Sequence, residues 1–163
     1  MNRLDCQIIS LTRAPPTIPV LARWFVEEWA SYYGPDGPGD AESDLRACRD
    51  DGVLPYSVVA LDAERRVLGT ASLKAESIGS DRFPGPWLAA LLVSPRHRRH
   101  GVGSQLVAAI ETAAWRFGHA ELYVSTDREN LFARSRGWTR VGVTQSRRGR
   151  IVVLRLTRPA ETL

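Results

Sequence analysis

Three residue types are scarce in this chain: its 163 residues include two cysteines, one methionine and one lysine. Cys6 and Cys48 are too few for a disulfide framework. No apolar run approaches the roughly 20 residues that cross a bilayer, and residues 1–10 lack the basic start and apolar stretch of a secretory signal. These absences argue against a membrane partner and set the expectation of a cytoplasmic protein. Repeats and low-complexity tracts are also missing, so one domain over residues 1–163 is expected, long enough to bury a core.

What is present is unevenly distributed. Residues 1–81 carry 13 Asp/Glu against 8 Lys/Arg, a balance of −5, whereas residues 82–163 carry 5 against 14, a balance of +9. Such a split suits two ligands of opposite charge meeting in one molecule, and equally suits scattered surface charge.

Hydrophobic spacing predicts strands over residues 5–11, 56–61, 67–76, 87–93, 121–126, 138–143 and 151–156. Helices are predicted over 18–33, 41–50, 101–117 and 130–136, with Asp40 as an N-cap and Gly34, Gly118 and Gly137 as stops. Trp24, Phe25 and Trp29 recur at helical spacing and read as core. The almost wholly apolar strand 87–93 reads as central and buried. The order β-α-α-β-β-β-α-β-α-β-β implies an α/β (α+β) fold, with a single mixed sheet and helices on both faces.

The stretch VSPRHRRHGVGSQL, residues 93–106, joins that central strand to a helix. Glycines let a ligand approach the backbone, and the first helical N–H groups point outward unpaired. With the positive end of the helix dipole they form an anion site suited to a pyrophosphate. A nucleic-acid reading fails for want of a recognition helix or an aromatic stacking strand. A metal reading fails because His97-x-x-His100 has no second pair of ligands. Arg96 and Arg99 fit ligand contact and plain solvation equally well.

Arg98, Gly101 and Gly103 fill the defined positions of Arg/Gln-x-x-Gly-x-Gly/Ala, and Val93-Ser94-Pro95 matches the Val-x-Pro that precedes it. The run resembles motif A of the GCN5-related N-acetyltransferase (GNAT) superfamily, and FARSRGW, residues 132–138, resembles its motif B. The resemblance implies a GNAT fold, mostly antiparallel, with a bulge in strand 87–93 that splays it from strand 121–126. It implies acetyl-coenzyme A as co-substrate, with no metal. Backbone groups of Leu91 and Val93 would pair with pantetheine. The amides of Arg98, Arg99, His100, Gly101, Val102, Gly103 and Ser104 would hold the pyrophosphate, and Asn130 would contact coenzyme A. Tyr32 and Tyr33, at a helix end, fall where relatives shape the acceptor pocket, and relatives are often homodimers.

Two expected catalytic groups are missing. The family's tyrosine acid, four residues before the Gly of Gly-aromatic, is Ala133 here, and its glutamate base falls at Ala89 and Ala90. Glu76 is the candidate base, with Asp127 behind it; Tyr123 and Ser125 are candidate proton donors. Three readings stand: these residues act, positioning alone suffices with water carrying protons, or the domain binds acetyl-coenzyme A without transferring the acetyl group. The acidic segment 27–51 (Glu27, Glu28, Asp36, Asp40, Glu42, Asp44, Asp50 and Asp51) suggests a cationic amine acceptor, a small molecule or a peptide.

Overall fold

The computed structural model describes residues 3–133 and 137–160. Seven strands form one sheet in the order β1-β2-β3-β4-β5-β7-β6. They are β1 (Gln7–Ser10), β2 (Tyr56–Leu61), β3 (Val67–Lys74), β4 (Trp87–Val93), β5 (Glu121–Thr126), β6 (Thr139–Ser146) and β7 (Gly149–Thr157). Every recorded pairing is antiparallel except β4 with β5. The helices are α1 (Ile18–Glu28), α2 (Ala30–Tyr33), α3 (Ala41–Arg46), α4 (Val102–Arg116) and α5 (Glu129–Ala133).

Side-chain alternation divides the core between two faces. On the back face Leu106, Ile110 and Ala113 of α4 and Phe132 of α5 pack on Leu73, Leu88, Leu122 and Leu154. On the front face Leu21 and Phe25 of α1 and Leu45 of α3 cover Val59, Leu61 and Leu92. A third cluster, Trp87, Tyr123 and Val153 with Phe83 against it, lies on the front of the other half-sheet.

Several expected elements differ in detail. The helix expected over 18–33 breaks at Trp29, whose backbone (φ −121°, ψ 51°) leaves the helical region. Phe25 is buried as core, while Trp24 and Trp29 are half-buried against it. The helix expected over 41–50 stops at Arg46, Asp40 capping it through the Ser43 amide. The final hairpin is longer than its apolar run: β6 and β7 pair out to Ser146↔Gly149, leaving only Arg147 and Arg148 in the turn. Ser146 Oγ accepts from Arg148 N and donates to Gly149 O, and Gly149 supplies the left-handed φ of 121°. Residues 134–136, the last turn of the helix expected over 130–136, lie outside the described residues. No helix among the described residues is long and apolar enough to cross a membrane.

Candidate functional site: a split between two parallel strands

β4 and β5 touch only where they begin. Their single register pair is Trp87↔Tyr123, supported by Tyr123 N donating to Pro86 O at 2.9 Å. Beyond it the strands part, and Ala89, Ala90, Leu91 and Val93 are half-buried although β4 is a central strand, beside the wholly buried β2 and nearly buried β3. The cause lies within β4. Against β3, Thr70 pairs with Leu92 but Ser72 with Ala89, so Ala71 faces two residues, Ala90 and Leu91. Ala90 takes up the extra residue at φ 52°, a left-handed conformation costly for any side chain. The bulge therefore turns β4 away from β5 and leaves its backbone edge open.

α4 begins at the wide end of this split. Gly101, at φ 82°, is its N-cap and offers no capping oxygen, so the first helical amides, Val102 to Ser104, point outward without a side-chain acceptor. Arg99, also left-handed at φ 65°, turns the chain just before it. A Cβ on Gly103 would meet only Val93 Cγ2 at 3.7 Å and Leu131 Cδ1 at 4.0 Å, ordinary contacts. Folding thus places no demand on glycine there, whereas close approach of a ligand would.

The arginine-histidine run divides its roles. Arg98 folds back, its Nε donating to Val93 O at 3.0 Å and its Nη2 lying 3.9 Å from Glu28 Oε2. His100 gives its carbonyl to Leu4 N at 2.8 Å, and Gln105 Nε2 donates to Leu4 O at 3.1 Å. This strap brings Arg3 beside Arg99, His100, Gly101 and Ser104, which line an open groove of about 310 Å³. Asn130, exposed, stands in the first turn of α5, next to the Leu131 that approaches Gly103. Among the described residues no cluster of His, Cys, Asp or Glu could hold a metal.

The candidate catalytic side chains do not converge. Tyr123 is buried in a stack with Phe83 and Trp87, its hydroxyl donating to Glu121 Oε2 at 2.8 Å. Burial, reinforced by that carboxylate, pushes the phenol's pKa up. Ser125, two residues on and on the same face, is half-buried opposite Val153. Glu76 lies exposed two residues past the end of β3, and Asp127 is exposed just past β5.

On the front face three segments enclose the split. Loop 34–40 folds tightly on α2: a Cβ at Gly37 would stand 2.1 Å from Tyr32 O, and one at Gly39 2.4 Å from the Tyr32 ring. Tyr32 is exposed, while Tyr33 packs on Phe25 and donates its hydroxyl to Asp44 Oδ2 at 2.7 Å. Burial, then the Asp44 bond, raises the Tyr33 pKa far above the usual phenol value. Loop 75–86 clasps Trp87 between Gly79 and Gly85. From the far edge of the sheet, the β6–β7 turn reaches across to α1 and α2. Arg148 bonds to Glu28 O, with Nη1 3.8 Å from Glu28 Oε1, and Arg147 donates to Ser31 O over the Tyr32 ring. Sequence reasoning missed Arg3, Arg147 and Arg148 as parts of the candidate site, and read Glu28 only as one of an acidic segment, because their contacts are remote in sequence.

The acetyltransferase (GNAT) family model matches residues 20–137, most of the chain and all of the split. The chain belongs to the GNAT acetyltransferase family. No curated protein matches the sequence significantly. Solved structures agree with the GNAT fold. An aminoglycoside 6′-N-acetyltransferase complexed with coenzyme A superposes at TM-score 0.71 with 16% identity, covering 96% of this chain and 99% of that one. The aminoglycoside 6′-N-acetyltransferase from Enterococcus faecium gives 0.68 at 16% identity, with coverages of 96% and 99%. A GCN5-related N-acetyltransferase from Kribbella flavida gives 0.66 at 22% identity, with coverages of 93% and 97%. At these identities the GNAT likeness is one of fold.

Proposed function

We propose that this GNAT protein works as a single domain that moves acetyl from acetyl-coenzyme A directly to an amine of a small molecule or peptide. The observation that carries the reading is the left-handed bulge at Ala90, set below an uncapped helix start. It leaves the edge of β4 free beside a ready anion site. A family relative crystallised with coenzyme A supports the donor's identity.

The residues divide the work as follows. The amides opening α4 hold the diphosphate through hydrogen bonds and the helix dipole. Leu91 and Val93 offer backbone groups to pantetheine as a missing strand would. Val93 O already accepts from Arg98 Nε, which fixes one end of that edge. Amide N–H groups near Leu92 and Val93 supply the donor for the oxyanion that forms when the amine nitrogen attacks the thioester carbon.

In the reaction the C–N bond forms, the C–S bond breaks, and one amine proton is passed to the departing thiolate. Tyr123 is tied to Glu121 and buried, Ser125 is the more open hydroxyl, and Glu76 stands exposed beyond β3. We therefore assign catalysis to positioning of the two substrates, with water and Ser125 carrying protons. The second reading, an acyl-coenzyme A sensor, is favoured by the alanines at 89, 90 and 133 where relatives carry acid and base.

A thermal-shift series with acetyl-coenzyme A, coenzyme A and an oligonucleotide, followed by thiol release over an amine panel, tests both. Stabilisation by both coenzyme A forms with turnover on some amines is expected. Stabilisation without turnover supports the sensor, and no stabilisation removes both readings.

A further inference from the structure

Beneath α3 a row of polar groups crosses the front face of the sheet. Ser57 of β2 and Ser72 of β3 are Cα partners, both nearly sealed, and their hydroxyls meet at 2.6 Å. Cys48 Sγ continues the row at 3.1 Å from Ser57 Oγ. At the other end Ser72 is the partner of Ala89, where the bulge begins. The row thus leads from α3 to the floor of the split.

Lys74, the only lysine in the chain, follows Ser72 on the same face of β3 and is paired with Trp87. It is half-buried on that face beside the row; burial raises the Cys48 thiol's pKa and the Lys74 charge opposes that rise. No carboxylate among the described residues lies within ion-pair distance of it. Asp44, which acts on the same thiol, accepts instead from Tyr33. An ammonium drawn partly out of water without a counter-ion is unfavourable unless a ligand supplies one.

The acidic segment that suggested a purely cationic acceptor is largely satisfied from within. Glu42 pairs with Arg46, Asp51 with Arg49, Asp50 with Arg116, and Glu28 with Arg98 and Arg148. At the border of the split Arg147 holds only a carbonyl and the Tyr32 ring. Neither Lys74, half-buried on the front face, nor Arg147, exposed beside α2, has a carboxylate partner among the described residues.

Resting on the acetyltransfer reading, we propose that Lys74 binds a carboxylate of the acceptor. The substrate class is then a compact amino acid, whose amine reaches the Ala89–Ala90 bulge while its carboxylate stays on Lys74. Trp87, the partner of Lys74, is three residues from Ala90, roughly 10 Å of strand, a span shared between the extended lysine side chain and a compact acceptor. A polyamine or an aminosugar with several ammonium groups meets repulsion at the same place.

The test is acetyl transfer to the standard amino acids, their carboxamides, spermidine and one aminoglycoside, each with coenzyme A release as readout. At least one free amino acid should exceed its own carboxamide by about tenfold or more in kcat/KM, the difference residing in KM. Lys74→Met should abolish that preference by raising KM for the free acid towards that of the carboxamide, and Lys74→Arg should retain most of it. Equal rates for acid and carboxamide, or a preference that survives in Lys74→Met, overturns the proposal.

If coenzyme A binds but no amine is acetylated, the acetyltransfer reading fails separately. The same ligands are then compared by thermal shift with coenzyme A present. Stabilisation by free amino acids that is lost in Lys74→Met sustains the Lys74 site, and its absence overturns it.

Discussion

Glu28 Oε2 lies 3.9 Å from Arg98 Nη2, joining the last turn of α1 to the loop that opens α4. In the proposed acetyltransfer reading Arg98 lies on the donor side of the split and Glu28 on the acceptor side; the second oxygen of Glu28 carries Arg148 of the β6–β7 turn. The pairs are long and between 30% and 50% exposed, so each is worth little by itself, roughly 0–1 kcal/mol. Their effect is to hold three segments in one place.

Glu28→Ala and Arg148→Ala should therefore behave alike. Each is expected to cost less than about 1 kcal/mol in urea unfolding, with a coupling near 0.5 kcal/mol in the double mutant. Acceptor KM should rise several-fold in both variants while coenzyme A affinity stays within about twofold. Fully additive effects on stability and KM would show that the turn does not act through Glu28.

Gly103→Ala is expected to move two measurements in opposite directions. The new methyl meets only ordinary contacts, and alanine favours helix by up to about 1 kcal/mol, so the free protein should melt at the same or a higher temperature. Coenzyme A affinity should fall at least about tenfold, or 1.4 kcal/mol, because the methyl occupies the approach to the diphosphate. Calorimetric titration beside a melting curve gives both readings, and unchanged affinity would remove the diphosphate from this helix start.

Ala90 tests the bulge. Ala90→Gly relieves the left-handed strain of about 1–2 kcal/mol but loosens the unfolded chain, leaving stability equal or slightly raised with coenzyme A binding intact. Ala90→Val cannot adopt φ 52° readily and should lose about 2 kcal/mol or more, together with coenzyme A affinity. Urea unfolding followed by titration separates the variants.

Glu111 gives a pH prediction. Half-buried on α4, it has a carboxyl pKa raised by burial, partly offset by Trp138 Nε1 donating to its Oε1 at 3.0 Å. A carboxyl with a raised folded pKa favours the fold while protonated, so its contribution is full below the unfolded value and lost as pH rises through the folded one. Glu111→Gln keeps the Trp138 bond without the charge. It should raise the melting midpoint at pH 7, and the gain should vanish towards pH 4, near the ordinary glutamate value.

Local periodicity exposed much of the fold. Leu106, Ile110 and Ala113 mark the buried stripe of α4, and the apolar run of β4 marks a central strand, because both depend on neighbours in sequence. The break at Trp29 was hidden, since Leu21, Phe25 and Trp29 keep helical spacing across it. The length of the last hairpin was hidden too, its outer half being polar: Thr144 to Arg150 read as loop, yet the strands pair almost to the turn. At the proposed site, Gly101 and Gly103 stood out because the strand-to-helix junction that carries them is contiguous in sequence. Lys74 and the pairing of Glu28 did not, because their meaning depends on what faces them. Arg148 is 120 residues from Glu28, and only the folded sheet decides that Glu28 is paired and Lys74 is not.

Trp87 stands where β4 and β5 first meet, fully enclosed, its indole N–H without an acceptor among the described residues. Such an indole fluoresces at short wavelength and lies at the hinge point of the parted strands. Its emission therefore reports how dry the closed end of the split is kept.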